Sequence, residues 1–396
     1  MQKKIIALAV ASLASGAALA QTNVTVYGIA DAAYVYSSGG SNNILNTNNG
    51  NKTFSGVQSG VLGGSRIGFR GTEALGNGLS AIFTLEYSLT IDDNTGVGTS
   101  NGNGGLNARQ QFVGLQSDKL GTVALGRQYA PGYAASIAND VLAGSILSSQ
   151  LILSTQALNT ITPNSAARWN NAATYTSPNW SGFTAKAIYA FGESETLAAD
   201  GKDSNANLRV YDSNLSSTDN GRFGIGGNYS NGPLNIDLVY QQRYSVVPTA
   251  DSAMAVPNLW GDDINEGYIG GSYDFKAAKV SASYQQQNDK NVANNDNTVW
   301  SLGVKVPVMA ASNILLTYGQ LEMDAGPRGS RVDGKSNTAT LAWTTAMSKR
   351  TTLYAGYVWV DNDKMSLPIR FSGVPAGVGQ VNETNNTFAA GVNHSF

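Results

Sequence analysis

In LNIDLVYQQRY, Leu234, Ile236, Leu238 and Tyr240 alternate with Asn235, Asp237, Val239 and Gln241. An apolar residue at every second position commits a segment to a β-strand with one apolar face, because successive side chains of a strand point to opposite sides. The period recurs along the chain. Val280, Ala282 and Tyr284 alternate with Ser281, Ser283 and Gln285; Ile67 and Phe69 with Arg66, Gly68 and Arg70; and Phe388, Ala390, Val392 and Phe396 share one parity at the end. Sixteen such segments are predicted, near residues 22–36, 61–72, 79–91, 107–117, 121–129, 167–177, 183–192, 221–230, 234–244, 265–275, 279–288, 298–307, 313–323, 336–347, 351–361 and 384–396. The joins between them alternate in length. EALGNG, DKLG, PNWSG, NGP, KAA, VMAAS and SKR are short, whereas 37–60, 92–106, 130–166, 193–220, 245–264, 289–297, 324–335 and 362–383 are long and polar. An antiparallel barrel crossing a membrane has this asymmetry, with tight turns at one rim, long loops at the other and an even strand number. A soluble β-sandwich has no reason to sort its loops by length.

The chemistry of the two faces says which one meets water. Arg66, Arg70, Arg168, Lys186, Arg222, Arg243 and Lys305, with Asp31, Glu86 and Asp237, all fall on the polar parity. Burying that many charges in a dry core is prohibitive, so the polar face must line a wet lumen and the apolar face must meet lipid. Tyr34, Tyr36, Phe183, Phe191, Tyr229, Tyr240, Phe275, Tyr284, Trp300 and Phe388 lie near strand ends, where interfacial girdles form. A mean hydropathy of −0.17 conceals this arrangement, because the two faces cancel in the average. No later segment approaches 18 consecutive apolar residues, which excludes a helix-spanning protein.

Composition removes most chemistry. With no Cys and a single His, His394 on the lipid-facing parity, thiolate chemistry, a His-rich metal cluster and a well-placed catalytic triad are excluded. Neither an enzyme nor a metal or other cofactor is expected. The 25 basic and 27 acidic residues include no basic run that could follow a phosphate backbone, so nucleic acid is not an expected partner. Glycine-rich NGNGG (101–105) and GIGGNY (224–229) lack the strand-then-helix setting of a nucleotide site. The pairs Asp92–Asp93 and Asp262–Asp263 belong to predicted outer loops, where a divalent ion bridging to lipopolysaccharide is one reading and solvated acid the other. Residues 1–20, MQKKIIALAVASLASGAALA, read as a secretory signal peptide with cleavage after Ala20, leaving 21–396 as one exported barrel domain.

VTVYGIADAAYVY, SRIGFRGTEALGNGLSAIFTLE, RQQFVGLQSDKLGTVALGRQY and the terminal GVNHSF resemble the Gram-negative general porins, most closely their betaproteobacterial and neisserial branch. The resemblance implies a sixteen-stranded all-β barrel, a homotrimer among outer-membrane lipid and lipopolysaccharide, and a third loop, about 130–166, folded into the lumen. It implies passive diffusion of ions and small hydrophilic solutes; a substrate-specific channel and an adhesin-like barrel are the alternatives. It also matches Arg66, Arg127 in ALGRQY and Arg168 in ARWNN to the basic wall of the family's constriction. Parity puts Arg66 and Arg168 inward, whereas Arg127 shares the parity of Val123 and Leu125 and turns inward only if the strand bulges near Gly126. Arg70, Asp31, Glu86 and Asp140 are expected to line the pore as well. Asp140 is the only ionisable residue between Ala130 and Ala166 apart from Tyr133, so the charge at the constriction should favour anions. Phe396 resembles the terminal signal read by the barrel-insertion machinery.

Overall fold

The computed structural model describes residues 23–39, 52–93, 107–192, 221–246, 262–291, 294–325, 333–363 and 384–396. The signal peptide expected at 1–20 lies outside them. Seventeen strands follow in order: β1 (Asn23–Gly39), β2 (Lys52–Ser59), β3 (Arg66–Gly76), β4 (Leu79–Ser88), β5 (Ala108–Ser117), β6 (Gly121–Tyr129), β7 (Arg168–Thr176), β8 (Phe183–Ala190), β9 (Arg222–Asn231), β10 (Leu234–Val246), β11 (Asp262–Asp274), β12 (Lys279–Asp289), β13 (Asn295–Met309), β14 (Ser312–Ala325), β15 (Gly334–Ala346), β16 (Thr351–Asn362) and β17 (Thr384–Ser395). Each pairs antiparallel with its neighbours. The ring closes where β1 pairs with β17 from Ile29↔Ser395 to Gly39↔Asn385. In lipid every backbone polar group needs an internal partner, and a closed sheet supplies one by having no free edge.

The barrel has sixteen staves, because β2 and β3 form one. β2 pairs with the upper half of β1 (Ala32↔Ser59 to Gly39↔Lys52) and β3 with its lower half (Asn23↔Thr72 to Ile29↔Arg66). Residues 60–65 leave the ladder between them. The expected second segment, 61–72, is thereby corrected: the stave starts at Lys52 and is broken where it was read as continuous. GVLGGS has no alternation to carry, and its glycines permit the chain to turn inward.

The molecule is apolar outside and polar inside. Along β12, Ser281, Ser283, Gln285, Gln287 and Asp289 are buried while Val280, Tyr284 and their parity mates are exposed. On β10, Asp237 is 6% exposed and its neighbour Leu238 58%. Of the aromatics expected in girdles, all but Trp300 are exposed, and Trp300 packs its ring 5.6 Å from that of Tyr318.

Between β6 and β7 the chain forms α1 (Pro131–Ala138) and α2 (Ser149–Gln156). Proline at its N-terminus starts α1; the Ser148 hydroxyl, accepting from the Leu151 N–H at 3.3 Å, caps α2. Both helices pack on the polar face of the wall. The Gly132 and Thr160 N–H groups donate to Gln241 Oε1 and Glu266 Oε1 at 2.9 and 2.6 Å, the Tyr268 hydroxyl to the Ala135 carbonyl, and Gln150 Nε2 to Gln285 Oε1. Leu142, Leu147 and Leu153 join wall residues Val35, Leu321 and Val358 in one buried cluster.

Candidate pore constriction

Two adjacent β-bulges bring arginines to the inner side of the wall. In β6 the register with β7 shifts between Gly126 and Gln128, and Gly126 has φ +132°. A Cβ there would stand 2.2 Å from the Gln111 carbonyl oxygen, so the position demands glycine. The bulge breaks the parity that would send Arg127 to lipid. Its Nε donates to the Ala108 carbonyl at 3.1 Å and its Nη1 to the Arg168 carbonyl at 3.0 Å and to Asn170 Oδ1. In β5 the register with β4 shifts between Glu86 and Tyr87, and Arg109, which shares the parity of Val113 and Leu115, turns inward to pair with Glu86.

Arg109 is an inward-turned arginine that parity reasoning passes over. The available signal was energetic: a cation on the lipid parity of a spanning strand is expensive enough to imply a bulge.

The arginines divide into two groups. Arg66 and Arg109 share Glu86, at 3.9 and 2.7 Å, and Tyr27 donates its hydroxyl to the same carboxylate at 3.0 Å. Arg243 pairs with Glu266 at 3.6 Å. Arg127, Arg168, Lys186 and Arg222 make no ion pair with any described residue. Arg168 lies 5.5 and 5.9 Å from the ring centres of Tyr129 and Tyr133, which stack at 3.6 Å; Arg222 lies 5.9 Å from Trp169. Aromatic faces hold these cations without neutralising them. Arg70 lies on the polar parity, 5.1 Å from the Tyr27 ring.

The acids expected to line the pore are each closely held by neighbouring groups. Asp31 is fully buried and accepts from the backbone N–H groups of Val61, Leu62 and Gly63. Asp140 is 7% exposed; its carboxylate accepts from the Leu142 and Gly144 N–H groups at 3.0 and 2.8 Å and caps its own turn. Burial raises its pKa against the lowering effect of those donors. Glu86 is 4% exposed and held by arginine. Asp237, likewise, is enclosed by the amides of Asn139, Asn228 and Asn235. Asp140 finds its donors in its own turn, Asp31 in the 60–65 turn and on β16 and β17, Glu86 on β5, and Asp237 on its own and the adjacent strand and in segment 130–166.

His394 is exposed on the outer face, 2.9 Å from Thr351 Oγ1. Among the described residues no group of three His, Cys, Asp or Glu side chains is placed to hold a metal ion.

A closed barrel with an apolar exterior and a cation-rich inner wall is an outer-membrane channel. A family model described as Gram-negative porin matches residues 7–365, and the chain belongs to that family. It is a general porin of the Gram-negative outer membrane, a channel and not an enzyme. The outer membrane porin protein 32 of Delftia acidovorans is 30% identical over 401 residues, covering 100% of both chains. An outer membrane porin protein of Bordetella pertussis is 32% identical over 390 residues, covering 90% of this chain and 93% of its own. The solved anion-selective porin from Comamonas acidovorans superposes with a TM-score of 0.74 at 27% identity, covering 95% of this chain and 100% of its own. Porins are typically trimeric, and a trimer form occurs among the solved structures that share the fold.

Proposed function

We propose that the chain forms an anion-favouring diffusion channel whose narrowest passage runs between segment 130–166 and a basic wall of Arg66, Arg127 and Arg168, extended by Arg222. The observation that carries this reading is the imbalance in charge compensation. Among the described residues Arg127, Arg168, Lys186 and Arg222 have no ion-pair partner, whereas Asp31, Asp140, Asp237 and Glu86 are each held by several neighbouring donors. In a narrow passage fixed charges are screened less than on an open surface, so the uncompensated sign governs which ions accumulate. The helices of segment 130–166 pack mainly on β9–β11 and β13–β15, with lesser contacts to β6 and β8, and this supports the segment's role in narrowing the lumen. Arg70 borders a recess of about 550 Å³ lined by Thr25, Thr72 and Thr84 together with Ile82, Phe83 and Phe112.

The working assembly is a homotrimer embedded in outer-membrane lipid and lipopolysaccharide, inserted by the machinery that recognises a terminal aromatic such as Phe396. Its solutes are ions and small hydrophilic molecules. The zero-current potential of the purified channel in a salt gradient tests the central point. Anion preference is expected, and strong cation preference would overturn the assignment of the basic wall.

A further inference from the structure

The turn that breaks the second stave sits between the barrel wall and the inserted segment, and its geometry depends on one carboxylate. Asp31 Oδ1 accepts from the Val61 N–H at 2.7 Å, the Leu62 N–H at 3.3 Å and the Tyr354 hydroxyl at 2.8 Å. Oδ2 accepts from the Gly63 N–H at 3.2 Å and Asn393 Nδ2 at 2.7 Å. The main chain of Asp31 adds to this: its carbonyl accepts from the Gly60 N–H and the Ser65 hydroxyl, at 2.9 and 3.1 Å, and its N–H donates to Ser65 Oγ at 3.0 Å. Three consecutive N–H groups that have left the β-ladder, one buried and two half-buried, need an acceptor. A carboxylate, which accepts only and has room for several donors, meets that need where an amide cannot.

The other side of the turn touches both flanks of the proposed passage. The Val61 carbonyl accepts from the Ile146 N–H of the inserted segment at 3.0 Å, and Val61 is fully buried in the cluster that holds Leu142 and Leu147. The Gly64 carbonyl accepts from Arg66 Nε at 2.9 Å. A Cβ on Gly64 would lie 3.2 Å from Arg109 Nη1.

From these contacts we infer that Asp31 is a positioning residue for the pore. It meets no solute, and it holds the 60–65 turn so that the turn fixes the inserted segment on one side and Arg66 on the other. The inference rests on the reading that segment 130–166 borders the conduction path. Losing the carboxylate frees the turn first and the 140–148 part of the inserted segment with it, while the ladder of the barrel persists. Asp31→Asn is the informative change. Either orientation of its amide sets an N–H against other N–H donors, whereas its volume is nearly unchanged.

The chain has no cysteine, so Ile146→Cys introduces a unique thiol without altering the backbone N–H that bonds Val61. Its reaction rate with a charged, water-soluble methanethiosulfonate reagent is measured in folded, heat-modifiable protein, with and without Asp31→Asn. The expected result is a several-fold faster reaction and noisier open-channel current in the Asp31→Asn background. A smaller rise is expected with Tyr354→Phe, which removes one of the five donors and serves alone if Asp31→Asn does not fold. Equal rates in folded protein would overturn the positioning role, and loss of thermal stability without a rate change would mark Asp31 as structural only. Conductance of the modified Ile146→Cys channel tests the underlying reading separately. A drop on modification places the segment beside the current; an unchanged current would refute that placement whatever the rates.

Discussion

Arg109 Nε lies 2.7 Å from Glu86 Oε1, on neighbouring strands whose register shifts where β5 bulges at Arg109. Both side chains are nearly inaccessible, so the pair cancels a negative charge beside the proposed basic wall. Glu86→Gln should strengthen anion preference, and Arg109→Gln should weaken it. Arg109→Gln should also cost stability on the order of 3 kcal/mol, because it leaves a buried carboxylate with hydrogen bonds from Tyr27 and Tyr129 but only the longer contact to a cation, Arg66. Zero-current potentials and the temperature of heat modification check both, and opposite signs for the two substitutions are the critical outcome.

Replacing Arg127 and Arg168 together with Gln should move the zero-current potential toward cation preference. The shift should grow as salt is lowered, since the Debye length lengthens from about 10 Å at 0.1 M to about 30 Å at 0.01 M. A potential that does not move at either salt concentration would show that these cations do not govern permeation.

The bulge in β6 depends on Gly126, where φ is +132° and a Cβ would meet the Gln111 carbonyl at 2.2 Å. Gly126→Val should straighten the strand and return Arg127 to the lipid parity. Folded yield should fall sharply, and the protein that does fold should have lost part of its anion preference. Wild-type yield together with wild-type selectivity would refute this account of Arg127.

Deleting Val141 to Leu153 should admit larger uncharged sugars in liposome swelling, read on protein that still shows heat modification. Unchanged size exclusion in a folded barrel would remove the inserted segment from the passage.

Phe396 seals the β1–β17 seam. Its N–H and carbonyl exchange hydrogen bonds with Gly28 at 3.1 and 3.0 Å, and its ring covers Gly28 so closely that a Cβ there would be 2.3 Å from Cζ. Deleting Phe396 should reduce folded barrel in membranes, and Gly28→Leu should do so too by displacing the ring. His394→Gln is the suitable control, because Asn393 donates to Asp31 and is itself structural. Normal yield without Phe396 would contradict its role in assembly.

Much of this architecture was legible in the chain. The period of two, with the alternating lengths of the joins, determined a sixteen-stave barrel, which face meets lipid and where the long excursion at 130–166 leaves the wall. Those properties are local: each depends on whether a residue is apolar and on its parity with its neighbours. The direction of Arg109 and Arg127 is not local, since a one-residue bulge reverses parity and is settled by backbone fit between adjacent strands. The fate of the acids is less local still. Asp31 looked like a pore charge because its parity is inward, yet Val61, Leu62, Gly63, Tyr354 and Asn393 converge on it from positions 30 to 362 residues away. Sequence alone determined which side of the wall each regular strand residue faces. Only the tertiary structure decided which inward charges remain uncompensated among the described residues, because that depends on donors brought together by barrel closure and by segment 130–166.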